Sequence, residues 1–207
     1  MQKVLAGLTE EIAQHRKPSY EVPPLFLNRW SPRAYAERPV ADELLFQVLE
    51  AARWAPSSYN EQPWRFIIAR TEEDRRLFCE FIHPRNVIWC QKAPVLALLV
   101  SHTRLKDGLP NRKHAVDAGA AWASLALAAT ELGLATRAMG AFDAEKARAL
   151  LGIPDEYEPQ IVIAIGYRGD ANDLPEEFQE REKPTDRRPL ANMVFEGRFG
   201  GAVDGLK

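Results

Sequence analysis

Residues 94–101 read PVLALLVS, and this stretch decides how the rest of the chain is interpreted. A strand with one wet face alternates polar and apolar residues, whereas this run is apolar at almost every position. It therefore predicts a strand that is covered on both faces. Residues 160–167, QIVIAIGY, have the same character and predict a second buried strand. Residues 65–69, RFIIA, predict a third.

Helical patterns surround these strands. The predicted helices cover residues 2–16, 41–54, 71–81, 113–132 and 143–151. Asp42, Asp143 and the pair Thr71 and Asp74 are the predicted N-terminal caps, and Gly133 and Gly152 are the predicted stops. Pro18, Pro23 and Pro24 are expected to end helical structure and begin an extended arm. Mixed helices and strands of this kind predict an α+β sandwich.

The composition predicts one ordinary soluble domain. The chain has 207 residues and a net charge of −2 from 27 basic and 29 acidic residues. We expect a single domain over residues 1–207, with an N-terminal helix and arm over residues 1–26 and a C-terminal arm over residues 170–207. The charge gives no reason to expect a nucleic acid or a membrane as partner. The first residues lack the apolar run of a signal peptide, so a cytoplasmic location is expected.

Motifs for several common chemistries are missing from the sequence. Two cysteines, Cys79 and Cys90, do not form a disulfide framework, and we expect buried reduced thiols. The four histidines have no metal-ligand spacing, so no metal site is predicted. There is no dinucleotide-binding glycine motif, phosphate loop or nucleophile elbow. No catalytic side chain is therefore predicted.

Residues 55–64, APSSYNEQPW, form the most informative loop of the chain. Two prolines restrict its shape, and serine, asparagine and glutamine side chains stand beside Tyr59 and Trp64. Such a mixture suits a flat heteroaromatic ligand with a hydrogen-bonding edge. Taken alone, a loop of this kind is more often a structural turn with a buried tryptophan.

A second motif precedes this loop in the sequence. Residues 28–35 read NRWSPRAY and contain Arg29, Ser31 and Arg33 at alternate positions. Together with Pro56, Ser57, Asn60, Gln62, Pro63 and Trp64, this motif resembles the nitroreductase family of flavoproteins. The resemblance implies a three-layer α-β-α sandwich with a central, mostly antiparallel sheet and extended terminal arms. It also implies FMN as cofactor and NADH or NADPH as reductant.

The resemblance assigns the FMN phosphate to basic and hydroxyl groups. Arg29 and Ser31 would bind the phosphate, and the C-terminal Arg187, or Arg188 in its place, would join them. Trp30 is also counted as a cofactor contact, although family members often have arginine or histidine at that position. Arg33 would lie near the pyrimidine edge of the ring, where a cation favours the reduced flavin.

The remaining assignments concern the ring and a second subunit. Asn60 would bind the pyrimidine edge, since an amide both donates and accepts. Pro56, Ser57 and Ser58 would reach the flavin of the neighbouring subunit in a homodimer. Backbone groups of Ala138, Met139 and Gly140 would pass one face of the ring, where an N–H binds N5.

The implied activity is an FMN-dependent, ping-pong transfer of hydride from NAD(P)H through flavin N5. The small-molecule acceptor would be a nitroaromatic, a quinone or an activated alkene. Two alternatives remain: other chemistry on the same fold, such as reductive dehalogenation or a flavin-consuming synthase, and a non-catalytic flavin-binding protein. The alanine-rich helix over residues 113–132 predicts either tight core packing or a helix shared between two subunits.

Overall fold

A computed structural model describes residues 7–206. The chain divides into two compact units. The larger unit runs from Trp30 to Glu182, and the smaller one combines the described residues before Trp30 with those after Glu182. The single-domain assignment over residues 1–207 stays a prediction.

Eight helices and four strands are present in the described residues. Helices α1 to α8 cover, in order, Glu10–His15, Pro24–Asn28, Asp42–Arg53, Glu72–Cys79, Pro84–Cys90, His114–Glu131, Ala144–Leu151 and Glu176–Gln179. Strands β1 to β4 cover Trp64–Ala69, Val95–His102, Ala135–Met139 and Tyr157–Gly166. Short 3-10 turns cover Ser58–Asn60, Ala171–Asp173 and Leu190–Asn192.

The strands form one antiparallel sheet in the order β1-β2-β4-β3. Strand β2 is central, and its Leu98 pairs with Ile67 of β1 on one side and with Val162 of β4 on the other. The three predicted strands and the mostly antiparallel sheet are therefore confirmed. Strand β4 is longer than expected and begins at Tyr157.

A hydrophobic core lies on each face of the sheet. Leu96 and Leu98 of β2 belong to a core that includes Phe78 of α4 and Trp89 of α5. The alternate residues Val95, Ala97 and Leu99 belong to a second core with residues of α3 and α6. Because successive strand side chains point to opposite faces, one apolar strand supplies both cores. The predicted three-layer α-β-α sandwich is confirmed.

Two of the three predicted caps are present. The Thr71 hydroxyl accepts a hydrogen bond from the Asp74 N–H at 3.1 Å, and the Asp143 carboxylate accepts from the Lys146 N–H at 2.9 Å. The cap predicted at Asp42 is wrong. Ala41 takes the capping position without a side-chain bond, and the Asp42 carboxylate instead pairs with Arg70 at 2.5 Å.

Two prolines begin helices that were not predicted. Pro84 opens α5 within residues 80–91, which lack a clear sequence pattern, and the His83 Nδ1 accepts a hydrogen bond from the Arg85 N–H at 3.2 Å. Pro24 opens α2, where an extended arm was expected. Proline is tolerated in the first turn because that N–H has no partner within the helix. Of the helix predicted over residues 2–16, only α1 is present: residues 7–9 are not helical, and residues 2–6 lie outside the described residues.

Helix α6 has one buried and one exposed face. Ala118, Ala121, Leu125 and Ala129 are buried in the second core. Ala115, Val116, Gly119 and Ala123 are exposed, and Val116 is 71% exposed. Tight core packing therefore explains the buried residues, whereas no residue of the described range 7–206 covers the exposed ones. Within residues 7–206, no helix is long and apolar enough to cross a membrane.

Candidate functional site

Three guanidinium groups meet in the smaller unit, and we call Arg16, Arg29 and Arg187 the arginine cluster. Arg16 is 5% exposed at the C-terminal end of α1. Its Nη1 donates to the carbonyl of Arg29 at 2.7 Å and to that of Leu27, and its Nε donates to the carbonyl of Thr185 at 3.1 Å. Arg16 thus holds the segment before Arg29 against the segment before Arg187.

Burial and mutual repulsion disfavour the positive charges of the arginine cluster. Burial, followed by Arg187 and Arg29, lowers the pKa of Arg16 to about 10, and Asp186 offsets this only in part. Burial and then Arg187 also lower the pKa of Arg29. Burial and a nearby like charge both disfavour the charged form of an arginine, and a bound anion would favour it. The site therefore has the chemistry of an anion site.

An open cavity adjoins the cluster. Its volume is about 490 Å³, and Arg16, Arg187 and Arg188 line it together with apolar residues such as Phe26 and Met193. Arg187 lowers the pKa of both Arg16 and Arg29. The choice of Arg187 over Arg188 as the phosphate residue stays a prediction.

A second group of charges lies in the larger unit, and we call Arg33, Arg137 and Glu182 the charge cluster. The side chain of Glu182 is 0% exposed, and its Oε1 accepts from the backbone N–H groups of Arg33 at 2.6 Å and Ala34 at 2.9 Å. Its Oε2 has no hydrogen-bond donor and lies 3.7 Å from Arg33 Nη1. Glu182 therefore fixes the backbone of the motif that contains Arg33.

Arg137, a residue of the sheet, also holds the backbone of this motif. It lies on the edge strand β3, and its Nη1 donates to the backbone carbonyl of Ser31. Its guanidinium lies 5.5 Å from the ring centre of Trp89, which stacks on Tyr35 at 6.4 Å. Burial and then Arg33 lower the pKa of Arg137. Burial also raises the pKa of the Tyr35 hydroxyl, so that this residue adds no charge.

The segment predicted to pass flavin N5 continues from Arg137 along β3. Met139 is 3% exposed and packs in the first core, so only its backbone is available to a ligand. Ala138 is half-buried, and Gly140 follows the strand. A Cβ placed on Gly140 would have no neighbour within 4 Å, which leaves open space beside this backbone. Trp30, also predicted as a cofactor contact, lies under the guanidinium of Arg168 at 4.7 Å.

The loop over residues 55–63 has a strained and well-fixed backbone. Tyr59, Asn60 and Gln62 all have positive φ values, of 51°, 57° and 48°. The Ser57 hydroxyl accepts from the Gln62 N–H at 3.1 Å, and the Gln62 side chain donates to the Asn60 carbonyl at 2.9 Å. Gln62 is therefore a loop-fixing residue. Such strain tends to occur at ligand sites because surrounding contacts must maintain it.

The loop has one polar anchor on α6 and an exposed tip. The Ser58 N–H donates to the buried carboxylate of Asp117. Tyr59 is 90% exposed, whereas Trp64 after the loop is buried in the second core. Pro56 is exposed, and Asn60 is exposed apart from its backbone contact. The loop thus presents polar and aromatic side chains outward.

The two cysteines differ from the expectation of two buried thiols. Both are free, but only Cys90 is buried, whereas Cys79 is partly exposed and lines a cavity of about 830 Å³. A hydrogen bond from Cys90 lowers the pKa of Cys79 to about 7, and the same bond and burial raise the pKa of Cys90. In the described residues, no group of three or more His, Cys, Asp or Glu side chains could hold a metal.

The sequence matches the model of the nitroreductase family over residues 27–88 and 83–167. These two segments contain β1 to β4, the 29–33 motif and the loop. The chain belongs to the nitroreductase family. It is therefore an oxidoreductase of this family, and the resemblance seen in the 29–33 motif and the 56–64 loop is confirmed.

Individual nitroreductase relatives agree with this assignment. A protein of Thermus thermophilus named NADH dehydrogenase is 30% identical over 203 residues, which cover 82% of this chain and 92% of that protein. A crystal structure described as an oxidoreductase containing FMN has a TM-score of 0.86 and 44% identity, and covers 90% of this chain and 97% of that one. A nitroreductase family protein from Clostridium difficile 630 has a TM-score of 0.67 and 28% identity, and covers 84% and 96%.

The structure of this nitroreductase also contains polar residues that the sequence did not identify. Arg16, Asp117, Arg137 and Glu182 each bind the backbone of a predicted cofactor segment. Arg137 has a recognisable signal, since it is a lone charge in the small-residue strand ATRAM. The other three have none, because a single charged residue without a motif is usually a surface residue.

Proposed function

We propose that this nitroreductase uses FMN to oxidise NADH or NADPH and reduce a small electrophilic acceptor, and that Arg29 and Arg187 hold the FMN phosphate. The arginine cluster carries the proposal. Its residues come from two distant parts of the sequence and bring positive charges close together, since burial and then Arg187 lower the pKa of Arg16 and of Arg29. A phosphate dianion compensates such charge, and the guanidinium fork matches its oxygen atoms.

Each residue of the arginine cluster has a separate task in this proposal. Arg29 and Arg187 bind the phosphate through their side chains. Arg16 donates to backbone carbonyls on both sides and therefore positions the other two. The Ser31 hydroxyl would add a neutral donor to the phosphate, while its carbonyl is held by Arg137.

The ring of the cofactor would be held by groups of the larger unit. Arg33 would lie at the pyrimidine edge, and Asn60 would offer both a donor and an acceptor to the same edge. The backbone of Ala138, Met139 and Gly140 would pass one face of the ring, and the open space beside Gly140 supports that assignment. Trp30, stacked under Arg168, would bound the site beside the phosphate residues.

When bound, FMN would supply hydride transfer through N5, from NAD(P)H to a nitroaromatic, quinone or activated alkene, in a ping-pong cycle. The side chains contribute binding, orientation and positive charge. No side chain has to act as a strong acid or base, which agrees with the absence of a nucleophile or metal motif in the sequence. The relatives named for NADH and FMN support this choice of reductant and cofactor.

We also propose a homodimer in which Pro56, Ser57 and Ser58 complete the flavin site of the partner subunit. The exposed face of α6, with Val116 and Gly119, provides a surface for the second copy. A Val116→Arg variant should become monomeric and bind FMN more weakly. A Glu72→Arg variant changes an exposed residue of α4 and serves as a control that should keep the dimer. A monomeric wild-type protein that binds FMN fully would contradict this part.

The central experiment is an absorption spectrum of the purified protein, followed by anaerobic addition of NADH or NADPH. A flavin spectrum that bleaches supports the oxidoreductase, and a flavin spectrum that never bleaches supports a non-catalytic flavin protein. An Arg29→Ala variant should lose FMN and keep its circular dichroism spectrum. Arg53→Ala changes an exposed arginine and should retain FMN. Full occupancy in Arg29→Ala would contradict the phosphate assignment.

A further inference from the structure

The charge cluster of the larger unit is not neutral. It contains two guanidinium groups, Arg33 and Arg137, and one carboxylate, Glu182. Arg33 has a side chain that is 17% exposed, and that of Glu182 is 0% exposed. One positive charge therefore remains in a site that water reaches poorly. Charge in such surroundings interacts more strongly than on the surface.

The neighbours of the cluster do not balance this charge. The Tyr35 hydroxyl donates to the Ala164 carbonyl at 3.2 Å and stays neutral. The Cys90 thiol also stays neutral, because its pKa is raised. Arg85 lies over the same Phe178 ring as Arg33, but it pairs with Glu177 at 3.1 Å and is well exposed. The excess positive charge therefore belongs to the pair Arg33 and Arg137.

Arg137 connects two segments that the proposed function assigns to the flavin. Its side chain binds the Ser31 carbonyl, two residues before Arg33. Its own strand continues through Ala138 and Met139 to Gly140. Arg137, the charged residue of the edge strand β3, therefore lies between the 29–33 motif and the segment assigned to N5.

We propose that Arg137 is a second cation of the flavin site, and that it stabilises the reduced flavin and raises its midpoint potential. This inference rests on the proposed function. Hydride from NAD(P)H delivers two electrons and one proton, so the ring gains one negative charge while the nicotinamide gains one positive charge. A fixed cation binds the charged reduced ring more strongly than the neutral oxidised ring. The excess charge of the cluster is in place before reduction.

The test compares the midpoint potential of bound FMN in the wild-type protein and four variants. Arg137→Gln removes the charge and should weaken binding of reduced FMN about tenfold relative to oxidised FMN, which lowers the potential by about 30 mV for two electrons. Glu182→Gln keeps an acceptor for the Arg33 and Ala34 N–H groups and removes the negative charge, so the potential should rise. Arg137→Lys keeps the charge and should restore the wild-type potential. Arg85→Gln, the exposed control, should leave it unchanged.

The outcomes separate this inference from the proposed function. If wild-type protein binds no FMN, the proposed function fails. If wild-type protein binds FMN and Arg137→Gln weakens oxidised and reduced FMN equally, the potential does not move and Arg137 merely positions Ser31, which overturns the inference. An unchanged potential in Glu182→Gln overturns it as well, and this variant decides the matter if Arg137→Gln does not fold.

Discussion

The backbone N–H of Ser58 donates to both carboxylate oxygens of Asp117, at 3.3 Å from Oδ1 and 3.2 Å from Oδ2. The bond joins the loop to the first turn of α6, and Asp117 is only 6% exposed. Because Tyr59 and Asn60 have positive φ values, the loop does not hold this shape by local preference. Asp117 is thus an anchor for the residues predicted to reach the flavin.

Removing that anchor should loosen the loop. We expect Asp117→Ala to lower the free energy of unfolding by about 2 kcal/mol, since the partly buried N–H of Ser58 loses its acceptor. FMN affinity should fall by a larger factor than this loss of folding stability alone would cause. Asp117→Asn keeps one acceptor oxygen and should cost about 1 kcal/mol. Urea unfolding and FMN titration measure both effects. Wild-type values for both variants would contradict the role of Asp117 as an anchor of the loop.

Inorganic phosphate should stabilise the protein through the arginine cluster. At ten times its dissociation constant, a bound anion adds about 1.4 kcal/mol to the free energy of unfolding. We expect a higher melting temperature in phosphate than in chloride of equal ionic strength. Arg29→Gln and Arg187→Gln should abolish the difference, and Arg53→Gln should not. A phosphate effect that survives in Arg29→Gln would place the anion elsewhere.

The pH dependence of the arginine cluster has a definite sign. Folding lowers the pKa of Arg16 from the ordinary arginine value to about 10, so the unfolded chain holds this proton more tightly. Stability from this group therefore rises as pH increases from about 10 towards the ordinary arginine pKa. An Arg16→Met variant removes this rise, and it should also lose stability at neutral pH because three carbonyls lose a donor. Urea unfolding at pH 8 and pH 10.5 measures both effects, and an equal slope in wild type and variant would contradict the assignment.

Cys79 should react as a thiolate near neutral pH. Its alkylation rate with iodoacetamide should rise with a midpoint near pH 7, since the Cys90 hydrogen bond lowers the Cys79 pKa to about 7. Cys90→Ala should move the midpoint upward. The folded pKa lies below the unfolded one, so the associated stability is present above pH 9 and is lost as pH falls through 7. Mass spectrometry of the alkylated protein measures the midpoint, and Cys79→Ser identifies the signal.

Glu182 should contribute far more stability than its neighbour Glu177. Glu182→Ala leaves two backbone N–H groups and Arg33 without their acceptor, and should cost about 3 kcal/mol. Glu182→Gln keeps the acceptor and should cost about 1 kcal/mol. Glu177→Ala removes an exposed ion pair with Arg85 and should cost below about 0.5 kcal/mol. Urea unfolding measures these losses in the free energy of unfolding. Equal losses in Glu182→Ala and Glu177→Ala would contradict the larger contribution expected from the buried Glu182.

Much of the fold could be predicted because its signals are local. The unbroken apolar run of β2, the Thr71 cap and the glycine stops at Gly133 and Gly152 each act within a few residues. Helices α2 and α5 were missed because proline at a helix start looks the same in sequence as proline that ends one. Strand β3 is short, and pairing with β4 stabilises it where its own residues would not.

The site was less accessible to sequence reasoning because it depends on distant contacts. The 29–33 motif and the loop could be identified from residues close together in the chain. The bond from Arg16 to the Thr185 carbonyl spans 169 residues, and that from Arg137 to the Ser31 carbonyl spans 106. A sequence pattern contains no information about such pairs until the fold brings them together. The roles assigned to individual cofactor residues stay predictions.

If the arginine cluster holds the FMN phosphate as proposed, it would also constrain when the cofactor can be loaded in the cell. Arg16 and Arg29 are synthesised before the whole sheet, whereas Thr185 and Arg187 are synthesised after it. Arg16 therefore lacks one of its carbonyl partners until the ribosome has translated past β4. The proposed phosphate capture would then be a late event of biogenesis, and a nascent chain stalled before Thr185 should emerge without bound flavin.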